Sequence, residues 1–449
     1  MLNDTDVLKI AARPRSIAET GLGQDFLCDL LAKHLYWGGE LNQQQLVERL
    51  ALTWLVLESL INFMRVSSYI EVRSPNENSG LLRYALTERG RNLALDALLK
   101  SGYVGSAPVP LALYQRVVEA QSIHRAVIMR TDMTRVFKDV VIKESLLAQL
   151  GPAMHSGRPI FLYGLPGTGK SYIGTRLVGL ITDAVLIPYA LAVGDYVVQF
   201  FDPSLHHPVP ASTETGQFML NVGHDPRFVY CQRPAVVTGG ELTLDMLELA
   251  HDPLTKQHFA PLQLKANNGV YIVDDLGRQR FRSADLLNRW IVPLDQKLDY
   301  LTVGCGTRFP VPFDMVLIFS TNLNPLELAD EAFLRRLGYK IRFDVLNKAE
   351  YEAIWRQVCE RYDLKFDSVI FKHVLDLYHE ENRPLLPCHP LDLLSLVMDQ
   401  CRYEGVSNNI NNEYLDNAWN SYFVRPLTSP AFSVPSAQEH HRLNRKLSM

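Results

Sequence analysis

The chain has 449 residues, of which 47% are hydrophobic and 21% charged, and its formal net charge is −4. This length exceeds that of a typical single domain and predicts two or three domains, and the composition is ordinary for a soluble globular protein. The small negative charge disfavours strong generic attraction to nucleic acid or to an anionic membrane, although a local patch could still bind either.

No apolar run approaches the roughly 20 residues that a membrane span needs, and we expect no membrane partner. The beginning of the chain carries Asn3, Asp4 and Asp6 and lacks the basic and apolar regions of a signal peptide. The cysteines are scattered without a C-x-x-C pair, at Cys28, Cys231, Cys305, Cys359, Cys388 and Cys401. Free thiols fit a reducing compartment, so we expect a cytoplasmic protein. Because no second such pair exists, Cys388-His389 predicts a packed thiol beside a surface imidazole rather than a metal site.

Residues 13–103 predict one domain that begins with helices and ends with two strands and a helix. The predicted elements are, in order, Asp25–Tyr36, Gln43–Ala51, Trp54–Val66, the extended runs Tyr69–Arg73 and Leu82–Leu86, and the helix Glu88–Lys100. Thr87 stands at the N-cap position of the last helix. This order is similar to that of the winged helix-turn-helix family.

The helix that would enter a DNA groove, Thr53–Val66, offers only one acid, Glu58, and one base, Arg65. Across residues 13–103 the bases are matched by as many acids. Non-specific affinity for DNA scales with the number of phosphates neutralised, so a neutral domain starts with little of it. We therefore predict a role in docking protein or organising a ring, with DNA binding as the alternative that is not favoured.

Four further segments follow. Residues 104–138 predict a helical connector that begins near the joint Ala107-Pro108-Val109-Pro110, and residues 139–345 predict a nucleotide-binding core. Residues 346–425 predict a helical lid, and residues 426–449, rich in Pro, Ser, His and Arg, predict a flexible tail.

The core contains a predicted insertion at about 189–235, after a predicted sheet strand at Val185–Pro188. It opens with two apolar runs about Gly194-Asp195, which predict a β-hairpin. Two interpretations of its aromatic side chains stay open: gripping a substrate in a ring pore, or packing on their own core. These aromatic residues are Tyr196, Phe200 and Phe201. His206-His207 predicts polar surface residues rather than metal ligands, because no carboxylates stand at ligand spacing.

Residues 164–171 fit G-x-x-x-x-G-K-[ST] at every fixed position, between an apolar run, Pro159–Tyr163, and a helical pattern, Tyr172–Val178. The glycines allow successive backbone N–H groups to curl around an anion, and the positive end of the helix dipole points at the same place. This strand–loop–helix context predicts a nucleoside triphosphate site. Its residues are Gly164, Leu165, Pro166, Gly167, Thr168, Gly169, Lys170, Ser171 and Tyr172. Lys170 would reach the β- and γ-phosphates, and Ser171 would hold a Mg²⁺ ion that bridges them.

Two further strands end in polar side chains. The buried run Val270–Val273 is followed by Asp274 and Asp275, and a third strand, Met315–Phe319, leads to Asn322. Parallel strands end at the same edge of a sheet, so Asp274 can meet the Mg²⁺ held by Ser171. Asp275 would then lie near the γ-phosphate, where it could orient and activate water, and the Asn322 amide could bind that water or a phosphate oxygen.

Arg335 and Arg336 follow an apolar helical turn. They could form a solvated helix end, favoured there by the helix dipole. Alternatively, one or both insert into a neighbouring subunit's site as arginine fingers and stabilise charge on the transferring phosphoryl group. Their position after the other three motifs favours fingers.

These four motifs, in this order, resemble the AAA+ ATPase family over about residues 135–425. By position, Gly164 to Ser171 resemble the Walker A motif, Val270 to Asp275 the Walker B motif and Asn322 sensor 1, and the two arginines lie where arginine fingers lie. The segment Leu264–Asp275 is similar to MoxR-like and related chaperone-type members, as is Pro312-Phe313 before the Asn322 strand.

The resemblance implies an α/β fold: a P-loop AAA+ core with a parallel sheet flanked by helices, and an α-helical lid. It further implies a homo-oligomeric ring, a hexamer, in which ATP hydrolysis with Mg²⁺ moves loops against a macromolecule.

The chain departs from the family pattern at two places. The second Walker B carboxylate of the family is usually Glu, whereas Asp275 is one methylene shorter. The run Asp274–Gly277 instead resembles the helicase-loader and initiator branch, where Asp-Asp is normal. In the segment Pro387–Leu394, which resembles the sensor 2 region, an Arg would be expected near position 391. Leu391 cannot contact a phosphate, so either Arg383 substitutes or the lid senses nucleotide weakly.

The leading prediction is therefore an ATPase that remodels an unidentified protein partner. A DNA-associated loader or regulator is one alternative, and a weakly hydrolysing nucleotide switch is another.

Overall fold

The computed structural model describes residues 4–74, 81–210, 223–304, 306–328, 330–408 and 410–424. By internal contacts the chain divides into two compact units. The first comprises Met1–Gly164 and Lys170–Phe343, and the second comprises Leu165–Gly169 and Asp344–Met449. The predicted tail, 426–449, lies outside the described residues, as does Cys305.

The first unit begins with a helical region that carries a small antiparallel sheet of order β1-β3-β2. Its elements are α1 (Asp4–Ile10), α2 (Ile17–Thr20), α3 (Gln24–Gly38), β1 (Leu41–Asn42), α4 (Gln43–Leu50), α5 (Trp54–Val66), β2 (Ile70–Arg73), β3 (Arg83–Leu86) and α6 (Glu88–Lys100). The helices and strands predicted here are present, with ends that differ by one or two residues. Thr87 caps α6, since its hydroxyl accepts a hydrogen bond from Gly90 N.

The hydrophobic core of this region does not end at residue 103. Leu57 and Leu60 of α5 belong to the same buried cluster as Tyr103, Ala190 and Val197. The cluster is built mostly from residues 27–103, and Ala107, Ala190 and Val197 of later segments extend it.

The connector region consists of short elements. They are β4 (Val109–Pro110), α7 (Leu111–Ala120) and α8 (Arg130–Val136), and α9 (Glu144–Ser156) follows within the predicted core. Arg227, fully buried, binds its neighbour Asp225 at 2.7 Å and also donates to the backbone oxygens of Thr20 and Pro108 at 2.8 and 3.1 Å. This one guanidinium therefore ties the N-terminal segment, the proline joint and the later insertion together.

The rest of the first unit is an α/β region. Its strands are β5 (Ile160–Gly164), β6 (Ala184–Pro188), β7 (Ala190–Val193), β8 (Tyr196–Gln199), β9 (Phe228–Gln232), β10 (Ala235–Thr238), β11 (Ala250–Asp252), β12 (Gln257–Phe259), β13 (Val270–Val273), β14 (Leu298–Val303), β15 (Thr307–Pro312), β16 (Val316–Thr321) and β17 (Tyr339–Phe343). Its helices are α10 (Lys170–Leu177), α11 (Leu262–Lys265), α12 (Ser283–Gln296), α13 (Pro325–Leu328) and α14 (Glu331–Leu334).

Five of these strands form a fully parallel sheet of order β10-β13-β16-β5-β17. The central strands β13, β16 and β5 are mostly apolar on both faces because helices cover both. Side chains such as Ile160 and Ile272 face a cluster that includes Leu150 of α9 and Ile173 of α10. The alternate side chains, among them Phe161, Tyr271 and Phe319, pack around Trp290 of α12. The predicted α/β fold with a parallel sheet flanked by helices is confirmed.

The structure corrects the strand order expected around the insertion. Val185–Pro188 is predicted as a strand of the main sheet, but β6, which contains it, pairs antiparallel with β9 in a separate two-stranded ribbon. The strand that pairs with β13 on the side away from β16 is β10, which begins about 50 residues after β6 in the chain. Both segments are short apolar runs, and only long-range pairing distinguishes them.

The predicted hairpin about Gly194-Asp195 is confirmed: β7 and β8 pair antiparallel within a second sheet of order β11-β12-β8-β7-β4. Phe200 is buried, stacked on His206, and Tyr196 and Phe201 pack against the same cluster. The packing interpretation therefore holds for these aromatic side chains in this structure.

His206 is fully buried, and the expectation of a surface residue was wrong for it. Its Nδ1 accepts a hydrogen bond from Asp202 N at 3.0 Å, and Nε2 lies 3.0 Å from Lys265 O. Burial lowers the pKa of this imidazole. Both ring nitrogens have backbone partners, so the residue is a structural one. His207 is exposed, as expected.

The described part of the second unit contains four helices. They are α15 (Lys348–Arg361), α16 (Ser368–Glu380), α17 (His389–Glu404) and α18 (Asn412–Tyr422). An aromatic core joins them, in which Tyr378 packs edge to face against Trp419 at 4.8 Å between ring centroids. His389, expected at the surface, is buried here, and its Nδ1 lies 2.7 Å from the Tyr378 hydroxyl. No helix in the described part of the chain is both long and apolar enough to cross a membrane.

Candidate functional site

The site lies where β5, β13 and β16 end at the same edge of the parallel sheet. β5 runs into the glycine-rich loop, β13 into Asp274 and Asp275, and β16 into Asn322. Because β16 lies between β5 and β13, Asn322 stands between the loop lysine and the two carboxylates. The first turn of α10 begins with Lys170 and Ser171. These predicted residues of the first unit are thus brought together.

The loop glycines have backbone conformations that other residues rarely adopt. Gly164 has φ +143°, and a Cβ there would lie 2.3 Å from the backbone oxygen of Phe343. Gly167 and Gly169 have φ of +79° and +85°. Within the second unit, a Cβ on Gly167 would lie 2.7 Å from the Cys388 sulfur. Any side chain at these positions would be strained, which accounts for the glycines.

Lys170 is buried and held by two oxygen atoms. Its Nζ donates to Asn322 Oδ1 at 2.7 Å and to Gly164 O at 3.0 Å. Burial lowers the pKa of the Lys170 ammonium, and the charges of Asp275 and Asp274 oppose that shift. An ammonium held at this point is positioned for the phosphates of a bound nucleotide.

Ser171 and Asp274 meet across the sheet edge, where Ser171 Oγ donates to Asp274 Oδ1 at 2.8 Å. Mg²⁺ in proteins is commonly held by one or two carboxylates with substrate phosphates and water, so this hydroxyl–carboxylate pair fits the ion. In the described ranges, no group of three or more His, Cys, Asp or Glu side chains is arranged to hold a metal.

Asp275 faces Asn322 and Arg278. Its Oδ1 accepts a hydrogen bond from Asn322 Nδ2 at 3.4 Å, and Arg278 Nε lies 3.9 Å from Oδ2. The residue has φ +49°, a left-handed conformation that Asp and Asn tolerate better than most residues. The half-buried carboxylate therefore projects from a tight turn beside the Lys170–Asn322 pair.

The two arginines differ in their surroundings. Arg336 forms an ion pair with Asp295 at 2.8 Å. Arg335 is exposed, and its guanidinium has no hydrogen-bond or ion-pair partner among the residues described. Both stand after α14, whose N-terminus is capped by Asp330.

The remaining predicted positions are occupied by local contacts. Tyr172 is exposed on α10, and its hydroxyl accepts a hydrogen bond from Arg176 at 3.1 Å. In the second unit, Arg383 is bound to Glu381 and its guanidinium carbon lies 4.1 Å from the Phe423 ring centre. Leu391 is half-buried in α17.

Sequence reasoning missed Gln279. This buried side chain binds the turn that carries Asp274 and Asp275. A glutamine among exposed arginines gives no signal of that role in the sequence, because its partners are backbone atoms brought near by the fold.

Comparisons with known proteins give limited matches. Residues 347–421 match a family described as a domain of unknown function (DUF8689), which is less than half of the chain. No match was found among curated proteins.

Solved structures that are similar to this chain include that of RuvB from Thermotoga maritima, described as a Holliday junction branch migration motor. It is 13% identical with a TM-score of 0.33, over 66% of this chain and 70% of that one. NtrX from Brucella abortus in complex with ADP is 14% identical with a TM-score of 0.39, over 79% of this chain and 72% of that one. Because these TM-scores are below 0.5, the functional assignment rests on the chain's own residues and their geometry.

Proposed function

We propose that this chain is a Mg²⁺-dependent ATPase of the AAA+ type that uses ATP hydrolysis to remodel a protein partner. The observation that carries the proposal is the convergence of Lys170, Ser171, Asp274 and Asn322 at one edge of a parallel sheet, with Asp275 beside them. A structural turn would need neither the Lys170–Asn322 contact nor the Ser171–Asp274 contact, each of which joins residues more than 100 positions apart.

Each residue has a role that its contacts support. Lys170 exchanges its bonds to Asn322 and Gly164 for phosphate oxygens, and Ser171 and Asp274 hold Mg²⁺. When bound, Mg²⁺ neutralises charge on the β- and γ-phosphate oxygens. Asn322, released from Lys170, orients the attacking water, and Asp275 accepts the proton of that water as its oxygen bonds to the γ-phosphorus. The bond to the bridging oxygen breaks, and ADP and phosphate leave.

The active form in this proposal is a homo-oligomeric ring, a hexamer, with sites completed by the neighbouring subunit. Arg335 supports it, since an exposed guanidinium without a partner in the described residues is available to a second copy. Arg336 would have to leave Asp295 to do the same. Of the two, Arg335 is therefore the better candidate for the trans-acting residue.

The outward face of α5 supports a protein partner over DNA. Leu55, Phe63 and Val66 are 55%, 41% and 82% exposed there, beside one acid and one base. DNA affinity depends on neutralised phosphates, and this face offers few charges for that purpose. Apolar exposed side chains suit contact with protein instead.

The specific ATPase rate against protein concentration, with Mg²⁺ present, tests the proposal. We expect the rate per subunit to rise with concentration, because composite sites form only on assembly. Lys170→Ala should remove ATP binding and turnover together; unchanged ATP affinity in that variant would contradict the site. Turnover that DNA stimulates would favour the loader alternative, and tight ATP binding without turnover would favour the switch.

A further inference from the structure

Gln279 is a buried glutamine, 8% exposed, in a segment whose neighbours Arg278 and Arg280 are exposed. Its side chain points back into the turn after β13. The last paired residue of β13 is Val273, which faces Thr238 of β10 and Phe319 of β16. Asp274 and Asp275 lie beyond this last rung, where regular strand pairing no longer holds the backbone.

Beyond the end of β13, the Gln279 side-chain amide supplies hydrogen bonds to the backbone of the turn. Its Oε1 accepts a hydrogen bond from Gly277 N at 2.9 Å. Its Nε2 donates to Gly239 O at 3.0 Å and lies 3.2 and 3.4 Å from the backbone oxygens of Asp274 and Asp275. Three carbonyl oxygens on one side and one N–H on the other allow a single orientation of the amide.

Two backbone contacts support the same turn on either side. Asp274 N donates to Thr238 O, and Leu276 N donates to Ser320 O, each at 2.7 Å. Gln279 adds the connection across the turn and to Gly239, which follows β10. The left-handed conformation of Asp275 persists only if its surroundings determine it.

We propose that Gln279 is a positioning residue that fixes the directions of the Asp274 and Asp275 carboxylates. This inference rests on the proposed function of those carboxylates in Mg²⁺ binding and water activation. Gln279 does not touch the nucleotide; it acts through the backbone of the two aspartates. Without the Gln279 amide, we expect the protein still to fold and to bind ATP through the glycine-rich loop and Lys170. The Asp274 and Asp275 carboxylates would then no longer be held in the directions that Mg²⁺ binding and water activation require.

The test uses Gln279→Met, which has similar length and volume but no hydrogen-bonding amide, in the full chain. We expect kcat to fall by about tenfold or more, which corresponds to about 1.4 kcal/mol of lost transition-state stabilisation, and KM for ATP to rise when Mg²⁺ is present. The increase in ATP affinity that Mg²⁺ causes, measured by titration calorimetry, should shrink, whereas the affinity without Mg²⁺ should stay. Gln279→Glu keeps the acceptor for Gly277 but no donor, and it should also lower kcat.

Gln121→Met is the matched control. Gln121 is also buried and binds the backbone of Leu186 through both ends of its amide and the Asn268 side chain, but none of these partners belongs to the turn. We expect it to lower the thermal midpoint and to keep kcat at temperatures where the protein is folded. Equal losses of kcat in Gln121→Met and Gln279→Met would overturn the inference, since they would reflect stability alone.

The remaining outcomes separate the two proposals. Wild-type kcat and an unchanged Mg²⁺ effect in Gln279→Met overturn the positioning role and leave the ATPase intact. If the wild type binds ATP without turnover, hydrolysis is contradicted, and the Mg²⁺ effect on affinity still decides the role of Gln279. If the wild type binds no ATP, both proposals fail.

Discussion

Asp275 and Asn322 show how much of the proposed chemistry depends on single side chains. Their 3.4 Å contact and the 2.7 Å bond between Asn322 and Lys170 connect the Asp275 carboxylate to the Lys170 ammonium. Asn322 therefore has one oxygen for Lys170 and one N–H group for Asp275. ATP would have to displace the lysine from Asn322, which would free that oxygen for water.

The proposed role of Asp275 predicts the behaviour of Asp275→Asn. Asn tolerates the left-handed backbone and keeps the side-chain size, so ATP binding and stability should stay near wild type. Turnover should fall by about 10²-fold or more, because the amide cannot accept the proton of the water. Single-turnover hydrolysis of radiolabelled ATP and a separate binding titration measure the two quantities.

Asp285→Asn is the control for this substitution. It removes a nearby carboxylate that pairs with the exposed Arg282 and lies outside the site. Turnover should remain near wild type in it. If Asp275→Asn hydrolyses ATP as fast as Asp285→Asn, Asp275 does not activate water.

At the scale of elements, the helical second unit depends on a buried imidazole at the start of α17. His389 stacks on Tyr378, with 5.7 Å between ring centroids, and binds its hydroxyl. Burial lowers the pKa of His389 from its ordinary value of 6.5 to about 4; the Asp392 charge opposes this shift and Arg383 adds to it. The neutral imidazole is therefore the form that the folded unit accepts.

This shift predicts a loss of stability in acid. The unfolded chain binds the His389 proton below pH 6.5, and the folded chain does so only near pH 4. The contribution of His389 should be complete above pH 6.5 and should be lost as the pH falls toward 4. Urea unfolding of wild type and His389→Gln, compared at each pH, isolates this contribution because the other titrations cancel. A difference in unfolding free energy that is constant from pH 7 to pH 4.5 would contradict it.

At the scale of the whole molecule, the proposal requires that one subunit complete the site of another. Arg335 and Arg336 lie in the first unit, where Arg335 is exposed and Arg336 is paired with Asp295. An ATPase with such residues should depend on assembly, and the contribution of each arginine should be separable by mixing variants.

Mixing Asp275→Asn with Arg335→Ala tests this dependence. Each variant alone should be inactive, but a random 1:1 ring should regain about a quarter of wild-type turnover, since a site works when its own Asp275 and the neighbour's Arg335 are both present. Asp295→Asn is the control variant for Arg336→Ala, because each substitution removes the same Arg336–Asp295 ion pair. If Arg336→Ala and Asp295→Asn lower turnover by the same factor, the effect of Arg336→Ala comes from the lost ion pair and is structural. Mixed rings without activity would contradict composite sites.

The sequence alone determined the local parts of this protein. The glycine-rich motif, the two apolar strands that end in carboxylates and in Asn322, and the capped helix after Thr87 follow from patterns a few residues long. The family resemblance that those motifs carry implied the parallel sheet flanked by helices. The meeting of Ser171 with Asp274 could be anticipated because parallel strands end at one edge.

Only the tertiary structure decided which apolar runs pair. β10 rather than β6 joins the parallel sheet, and the buried side chains of Phe200 and His206 contact distant residues, Tyr114 and Lys265 respectively. Gln279 acquires its position in the same way, since its partners are backbone atoms of a turn and of the end of β10. Local spacing encodes motifs, whereas burial and backbone contacts depend on which distant segments the fold brings together.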